Sequence, residues 1–385
     1  MPLKPSRKFF AGSETTSPEY GFVQLDEFSY TARAGHTNYR LPKKGGVMLQ
    51  DRLGRELRDL RISVTDRCNF RCVYCMPEGD YVGLDRSEIL RLEEIERLAK
   101  IFVRLGVRDV KLTGGEPLVR KGVERLIARL CAIQGVEDLS LTTNGSLLKN
   151  HAKPLFKAGL RRLNISLDTL DNEMFQAITA RGSLKSVLDG IFAAKEAGFS
   201  PVKLNTVIRK DLNADQIVPI ARFGRQHGFE VRFIEFMDTG NGNGWDPSKL
   251  LEKAQILEIL ASAGFSLVSK GRHYKNTPAV SFKTLDGSLK LGIIASVSEP
   301  FCQGCTRARL TADGKLVTCL FASMGFDLKR VLRSGAGDEE ISSAISRVWE
   351  GRTDRYSEER LERLRSGKSP FDPKEQKLEM VRLGG

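Results

Sequence analysis

Cysteine spacing is the strongest chemical signal in this sequence. Cys68, Cys72 and Cys75 form a C-x3-C-x2-C pattern, CNFRCVYC at 68–75. Three thiolates on one short loop can hold three irons of a cubane cluster and leave the fourth iron open to a ligand. A structural zinc site normally closes with four ligands, and none of the 4 histidines lies beside this loop in the sequence. The spacing therefore favours an iron–sulfur cluster, with a zinc loop as the alternative.

A second set of three cysteines, Cys302, Cys305 and Cys319, lies near the far end of the chain. Its C-x2-C-x13-C spacing suits either a cluster with an open iron or zinc, because C-x2-C is a common zinc half-site. His273 or Glu299 could complete a zinc site. Spacing alone therefore predicts metal binding here and leaves the metal open.

The remaining cysteine, the total number of cysteines and the hydropathy pattern indicate in which cellular compartment the protein works. Cys131 lies in an apolar helical stretch with no partner motif, so we expect it to be a small buried hydrophobic residue. An odd total of 7 cysteines in a long chain without a secretory signal argues against a disulfide framework. No run approaches the eighteen or so apolar residues of a membrane span. These features predict a cytoplasmic protein with no membrane partner.

Positive charge points to an anionic partner. The 61 Lys and Arg against 48 Asp and Glu give a net charge of +13, which fits nucleic acid, a membrane surface or a small polyanion. Arg307 and Arg309 follow Cys305 at once and share a face if the segment is extended, so their guanidinium groups could bind phosphate oxygens. No Walker loop is present, so a nucleotide would be held by scattered side chains. Further candidates at strand ends are Arg61, Lys111, Lys203 and Arg232.

These candidates must be positioned by alternating strands and helices. Short runs rich in β-forming residues occur at 61–65, 109–113, 139–143, 163–167, 202–208 and 231–236. Helical patterns lie between them, and one apolar face is formed by Ile95, Leu98, Ala99, Phe102 and Leu105. Six βα units predict an α/β fold with a parallel sheet, either an incomplete TIM-like (βα)6 barrel or an open doubly wound sheet. In both, functional groups are expected at the carboxyl ends of the strands.

The chain divides into three predicted parts. Residues 1–47 lack a sustained apolar period and are expected to form a loosely ordered extension, with Met48 as an alternative start. Residues 48–264 carry the βα units and end with a helical pattern at 248–263. Residues 265–385 contain short strands at 279–285 and 288–294, a helical pattern at 340–350 and a terminal Gly-Gly.

The cysteine loop resembles that of the radical S-adenosylmethionine (SAM) superfamily, which has C-x3-C-x2-C with an aromatic residue, here Tyr74, before the last Cys. A glycine-rich turn, TGGEP at 113–117, follows the second strand and resembles that superfamily's SAM-binding segment. Glycines allow a backbone to approach a ligand closely. The resemblance implies a 4Fe-4S cluster whose open iron binds SAM and cleaves it to a 5′-deoxyadenosyl radical.

The whole pattern is similar to the GTP 3′,8-cyclase family of molybdenum cofactor biosynthesis. The segments that carry the likeness run from about residue 48 to the end and include LRISVTDRCNFRCVYCMP, KLTGGEP, LTTNG, NISLDTL, VKLNTV, RFIEFMDTG and FCQGCTRARLTADGKLVTCLF. The likeness implies two 4Fe-4S clusters, one on each cysteine set. Its implied SAM contacts are Tyr74, Gly115, Ser166 and Met237. Its implied GTP contacts are Arg61, Lys111, Thr142, Lys203, Arg307 and Arg309.

The same resemblance implies a reaction and partners. The adenosyl radical removes the ribose C3′ hydrogen of GTP, and the carbon radical closes a ring onto guanine C8. Gly384 and Gly385 are implied to enter the barrel's active site, whereas Lys111 stands where the family commonly has Arg and keeps the charge without the fork. Implied partners are an external one-electron donor and the downstream cyclic pyranopterin monophosphate synthase, and a homodimer is compatible with the sequence.

Two other functions compete with this one. A radical SAM enzyme could act on RNA or a peptide instead of GTP. A basic, zinc-structured nucleic-acid-binding protein would also explain the charge and the cysteine sets. The sequence has no lysine-rich stripe with interleaved aromatic residues, which argues against nucleic acid as a partner.

Overall fold

The structure is a computed structural model that describes residues 48–76, 83–240, 242–272, 277–369 and 377–384. Strands β1 to β6 span Asp59–Ser63, Asp109–Thr113, Asp138–Thr143, Arg162–Ser166, Val202–Ile208 and Glu230–Glu235. Strands β7 to β12 span Leu267–Gly271, Val280–Thr284, Lys290–Ile294, Arg307–Leu310, Lys315–Val317 and Phe326–Asp327.

The helices alternate with the first six strands and then gather near the end of the chain. Helices α1 to α7 span Leu92–Arg104, Val123–Cys131, Leu148–Lys157, Asn172–Thr179, Leu184–Glu196, Ile217–His227 and Lys253–Ser262. Helices α8 to α11 span Leu328–Arg333, Asp338–Glu350, Tyr356–Arg365 and Met380–Leu383. Short 3₁₀ helices lie at Pro117–Val119, Ala214–Gln216, Pro247–Lys249 and Cys302–Gly304.

One sheet contains all twelve strands found among the described residues. Strands β1 to β6 are parallel neighbours in chain order, which is the predicted incomplete (βα)6 arrangement of an α/β fold. The C-terminal part adds β9 parallel to β6 and β10 parallel to β1, so it lengthens the sheet at both sides. The order is β12-β11-β10-β1-β2-β3-β4-β5-β6-β9-β8-β7, and side chains from β1 to β6, β9 and β10 line one cavity. The sheet therefore curves around that cavity.

The predicted elements agree closely with the observed ones. Strands β2 and β5 have the predicted bounds, and the other four predicted βα strands differ by one or two residues at an end. The largest shift is in β1, which ends at Ser63 because the carbonyl of Thr65 accepts the Gly115 amide (2.7 Å) of a turn instead of a ladder bond.

The core lies between the sheet and the helices. The predicted face of α1 is buried, with Ile95, Leu98, Ala99 and Phe102 each 0% exposed. Burial of each larger apolar side chain contributes about 1.5 to 3 kcal/mol. The helix therefore holds the first two strands in place through the 3.6-residue period read from the sequence.

One prediction about the cysteines was wrong. Cys131 is exposed rather than buried, because it is the last residue of α2 and the buried face of that helix is formed by Val123, Leu126, Ile127 and Leu130. Among the described residues, no helix combines the length and the hydropathy that crossing a membrane requires. The predicted extension at 1–47 lies outside the described residues.

Candidate active site

A single cavity of about 900 Å³ brings together the residues singled out from the sequence. The cysteines of both sets and all of the implied SAM and GTP contacts line it. From the first cysteine set and its surroundings these are Cys68, Cys72, Tyr74, Cys75, Gly115, Ser166 and Met237. From the second set and the basic residues they are Arg61, Lys111, Thr142, Lys203, Cys302, Cys305, Arg307, Arg309 and Cys319.

The first cysteine loop follows the carboxyl end of β1. Its three thiols are free and half-buried, and the amides of Cys75 and Met76 both donate to the Cys72 carbonyl (3.0 Å), which folds the loop back on itself. The amide of Phe70 donates to the Cys68 sulfur at 3.4 Å. Burial and the neighbouring Cys68 raise the pKa of the Cys75 thiol to about 12. Metal binding here must therefore release protons, as it does at thiolate sites in general.

The glycine-rich turn packs directly against this loop. The amides of Gly115 and Glu116 donate to the carbonyls of Thr65 (2.7 Å) and Arg67 (2.8 Å). A Cβ atom at Gly115 would lie 2.4 Å from the Arg67 carbonyl oxygen, a distance that real side chains do not reach. Glycine is required at this position by the neighbouring loop, in addition to any approach to a ligand.

Glu116 connects the second and third strand–helix loops. Its carboxylate accepts hydrogen bonds from the Thr143 hydroxyl (2.7 Å), the Asn144 amide (2.7 Å) and the Leu118 amide (3.0 Å). The side-chain amide of Asn144 in turn donates to Asn69 in the cysteine loop at 2.8 Å. Three loops at the carboxyl ends of β1, β2 and β3 thus form one hydrogen-bonded wall.

The other predicted SAM contacts lie beside this wall. Ser166 ends β4, and Met237 packs with Tyr74 against the buried side chains of Phe236, Trp245 and Val297. The Tyr74 hydroxyl donates to Asp168, and burial raises the pKa of Asp168 to about 6 against the opposing effect of that bond. Sequence reasoning missed Asp168, although a polar residue just after a strand is the signal that would have found it.

The second cysteine set forms because of strand pairing. Cys302 and Cys305 precede β10, and Cys319 follows β11, which pairs antiparallel to β10 with Arg309 opposite Val317. Because the two strands are antiparallel, the end of β11 lies beside the start of β10. All three cysteines therefore lie at the amino end of β10. Since β10 is parallel to β1, the first set lies beyond the carboxyl end of β1 and the second set lies beyond its amino end. The length of β1, about 17 Å at 3.3 Å per residue, therefore lies between them.

Arginines surround the second set. The Arg307 guanidinium donates to the Cys305 sulfur at 3.1 Å, and Arg352 donates to the Cys305 carbonyl at 2.7 Å. Burial raises the pKa of Cys305, but Arg307 and Arg352 outweigh it and lower that pKa to about 6. In contrast, burial and Asp354 raise the pKa of Cys319 to about 12. No sequence signal pointed to Arg352, which approaches from the loop after α9.

Each cysteine set supplies three thiols, the ligand number of an iron–sulfur cluster with one open iron. Among the residues that the structure describes, no group of three or more His, Cys, Asp or Glu is close enough to hold one metal ion. Glu299, one candidate to complete a zinc site, forms an ion pair with Lys253. His273, the other candidate, lies outside the described residues. Three free, half-buried thiols per set match the ligands of an iron–sulfur cube with one open corner.

Cations occupy the wall between the two sets. Arg309, Arg61 and Lys111 are in register on three adjacent strands, and neither Arg61 nor Lys111 has an ion-pair partner among the described residues. Burial and nearby arginines lower the pKa of Lys111 well below its usual value. Lys203 is paired with Glu230 at 2.9 Å. Like charges side by side on a sheet are unfavourable, so the row formed by Arg309, Arg61 and Lys111 is suited to bind a polyanion.

The position of these cations corrects one expectation. They lie at the amino ends and middles of the strands, not at the carboxyl ends: Arg307 begins β10 and Lys203 is the second residue of β5. Alternate residues of a curved sheet face its interior, so cations far from the strand ends still reach the cavity. The site therefore occupies the depth of the barrel rather than its mouth alone.

The C-terminal tail reaches the same wall. The Gly384 carbonyl accepts a hydrogen bond from the Arg309 guanidinium at 2.9 Å. Gly384 has φ of +71°, and a Cβ atom there would lie 1.7 Å from the Thr113 hydroxyl oxygen. Only glycine fits this position. Gly385 lies outside the described residues.

Comparison with known proteins agrees with this arrangement. The Radical SAM superfamily model matches residues 62–224, and the model described as Molybdenum Cofactor Synthesis C matches residues 229–358. A protein of Staphylococcus haemolyticus named GTP 3′,8-cyclase is 46% identical over 345 residues, covering 88% of this chain and 99% of its own length. The Staphylococcus carnosus protein of the same name is 45% identical over 343 residues, with the same shares covered.

Solved structures support the fold. Streptococcus suis SuiB bound to the precursor peptide SuiA matches with a TM-score of 0.53 at 14% identity, covering 77% of this chain and 66% of SuiB. A further structure of Streptococcus suis SuiB matches with a TM-score of 0.52 at the same identity, covering 77% of this chain and 67% of that one. At this level of identity the likeness concerns the fold alone.

Proposed function

This chain belongs to the GTP 3′,8-cyclase family, and on that basis we propose that it converts GTP to 3′,8-cyclo-7,8-dihydroguanosine 5′-triphosphate, the first step of molybdenum cofactor biosynthesis. One observation carries the proposal: two sets of three free thiols line one cavity, and cations line the wall between them. The enzyme is of the radical SAM type and uses SAM and 4Fe-4S clusters. Residues 48–264 would bind SAM, and residues 265–385 would carry the second cluster.

At the first site, Cys68, Cys72 and Cys75 would hold a 4Fe-4S cluster. What that cluster and SAM supply when bound is a 5′-deoxyadenosyl radical, which takes the C3′ hydrogen of GTP. The residues of this chain position SAM: the turn at Gly115 gives a backbone surface free of side chains, and Tyr74, Ser166 and Met237 line the cavity around it. The bond from Tyr74 to Asp168 holds the tyrosine in one orientation.

At the second site, Cys302, Cys305 and Cys319 would hold a further cluster that faces guanine. Arg307 and Arg309 start from the same strand, so the guanidinium groups sit beside the cluster ligands and can bind phosphate oxygens. Arg61, Lys111, Thr142 and Lys203 would complete the GTP contacts. Each charge-assisted hydrogen bond contributes about 1.5 to 3 kcal/mol, so a few of them suffice to hold a triphosphate.

The main contribution of the protein is positional. Ring closure needs ribose C3′ and guanine C8 in attack range, and fixed cations beside a cluster that faces guanine would restrain both the triphosphate and the base of GTP. Enclosure within the barrel also keeps water from a reactive carbon radical. A one-electron donor and the downstream cyclic pyranopterin monophosphate synthase are the proposed partners, and a homodimer stays a prediction.

The test is anaerobic incubation of the reconstituted protein with SAM, dithionite and GTP. We expect the cyclised nucleotide, and 5′-deoxyadenosine whose formation depends on GTP. Formation of 5′-deoxyadenosine at the same rate without GTP would refute GTP as the substrate and favour RNA or a peptide. Zinc without labile sulfide in protein purified anaerobically would refute the radical mechanism itself.

A further inference from the structure

A buried ion cluster holds the start of the C-terminal tail. The carboxylate of Asp238, just after β6, accepts hydrogen bonds from Lys377 (2.7 Å) and from the Tyr356 hydroxyl (2.6 Å), and it pairs with Arg360. The Lys377 ammonium also donates to the Asp238 backbone carbonyl at 2.8 Å. We call these four residues, Asp238, Tyr356, Arg360 and Lys377, the tail clamp.

The charged side chains of the tail clamp are buried. The side chains of Asp238 and Arg360 are 1% and 0% exposed, and that of Lys377 is 6% exposed. The Lys377 ammonium lies over the rings of Tyr356 (4.6 Å) and Phe321 (5.6 Å), which stack on each other. A paired and hydrogen-bonded charge in such a place has one strongly preferred geometry, because any slip leaves a buried charge unpaired.

From the tail clamp the chain runs into the cavity wall. The Leu378 amide donates to the Ala322 carbonyl at 3.0 Å, and Val381 and Leu383 are buried at 2% and 0% exposure. The segment ends with the Gly384 carbonyl on Arg309. The chain is therefore held at two points, by Lys377 on Asp238 and by Gly384 on Arg309.

The register between these ends is tightly limited. At the position of Gly384 a Cβ atom would lie 1.7 Å from the Thr113 hydroxyl oxygen, so the one-residue shift that brings Leu383 there is excluded. The opposite shift would bring another glycine of the sequence, Gly385, to this position and is not excluded by a side chain. Apolar contacts of Val381 and Leu383 favour burial but are not directional. A directional anchor is needed to set which residue reaches Arg309, and the tail clamp is such an anchor.

We propose that Lys377 is a positioning residue: by binding Asp238 it sets the register at which the tail enters the cavity, and so places Gly384 between Arg309 and Thr113. The effect on catalysis rests on the proposed cyclase function. The placement of the tail does not, so the two can be tested separately.

The test compares Lys377→Met with the wild type. Methionine keeps the length and the packing on the two rings but cannot bind Asp238, which retains Arg360 and Tyr356, so the fold should survive. Lys195→Met is an exposed control for the same substitution: Lys195 on α5 also donates to a backbone carbonyl, that of His227 (2.7 Å), and lies 5.6 Å over the Phe229 ring, but it does not line the cavity. Lys377→Arg is the rescue variant.

The first readout is digestion with carboxypeptidase Y, followed by mass spectrometry of the intact protein. We expect the wild type, Lys195→Met and Lys377→Arg to keep their last residues. Lys377→Met should lose them roughly ten times faster, the change that corresponds to about 1.4 kcal/mol of lost anchoring. Equal protection in Lys377→Met would refute the tail clamp, whether or not the protein is a cyclase.

The second readout is turnover of GTP by the same reconstituted variants. We expect Lys377→Met to show a kcat at least about tenfold lower, with unchanged iron content and SAM binding, and Lys377→Arg to recover. A released tail with full turnover would refute the functional role of the register. A loss of turnover with a protected tail would show that Lys377 does not act through the tail, which also overturns the proposal.

Discussion

Replacing Gly115 with alanine should prevent the first cysteine set from holding its cluster and should leave cluster binding at the second set unchanged. The added Cβ would lie 2.4 Å from the Arg67 carbonyl oxygen and 3.0 Å from the Cys68 amide nitrogen, against at least 3.4 Å for an ordinary contact. The turn and the cysteine loop must therefore separate by about 1 Å. Both neighbours are backbone atoms, so no flexible side chain can give way.

This separation has a calculable cost. Overpacking of this kind costs about 1 to 3 kcal/mol. The separation also lengthens two backbone hydrogen bonds, from the Gly115 amide to the Thr65 carbonyl (2.7 Å) and from the Glu116 amide to the Arg67 carbonyl (2.8 Å). Each of these hydrogen bonds contributes about 1 kcal/mol to stability. Because Cys68 is the next residue after Arg67, the strain falls on the cluster ligands themselves.

Iron and sulfide analysis after anaerobic reconstitution measures the effect. We expect Gly115→Ala to bind the iron of one 4Fe-4S cluster instead of two and to form no 5′-deoxyadenosine. Gly83→Ala is the matched control, because its Cβ would touch Asp66 and the Arg67 side chain at ordinary distances of 3.5 Å or more. Full iron content and SAM cleavage in Gly115→Ala would refute the steric argument.

Three further substitutions test other parts of the site and fold. Lys111→Met should raise the thermal midpoint of the substrate-free protein, because it removes a cation whose pKa is lowered by burial, and should weaken GTP binding in calorimetry; a lower midpoint would contradict this. Cys302→Ser should keep SAM binding but lose cyclisation and the iron of one cluster, and retained cyclisation would show that the second set is misassigned. Glu94 is buried, but hydrogen bonds from Arg333 and the Arg91 amide outweigh the effect of burial and lower its pKa from 4.5 to about 2. The ionised carboxylate of Glu94 therefore stabilises the fold above pH 4.5, and this contribution is lost as the pH falls toward 2. Urea unfolding of cluster-free protein should therefore show Glu94→Gln less stable by on the order of 3 kcal/mol at pH 7, with the gap closing in acid; a gap that does not depend on pH would refute the assignment.

Local sequence patterns were sufficient for the parts of the fold that depend on near neighbours. Strands β2 and β5 have their predicted bounds because β-forming runs ended at clear turn residues. The buried face of α1 followed from a 3.6-residue period. The prediction that Cys131 is buried was wrong because an apolar stretch does not show which residues of a helix face solvent. Cys131 is the last residue of α2 and lies outside the buried face of that helix.

Contacts between distant segments were not available from the sequence. Arg352 reaches the Cys305 carbonyl, and Lys377 reaches Asp238, across 47 and 139 positions of the chain. Neither pair has a spacing rule, since each depends on how two loops end at one place in the folded molecule. The basic residues of the sheet were found, but their depth in the barrel was not, because strand register decides which level an inward side chain occupies.

Residue types and short spacings were enough to identify the chemical groups of the site: two sets of three thiols, a glycine turn, several cations, and the order of the strands and helices that carry them. Such information acts within a loop or a helical turn. That these groups share one cavity follows only from the folded arrangement of the strands. Parallel pairing of β10 with β1 places the two thiol sets at opposite ends of these strands. The buried carboxylate of Asp238 sets where the C-terminal tail enters the cavity. Those outcomes depend on pairing and burial between segments far apart in the chain, and no local pattern encodes them.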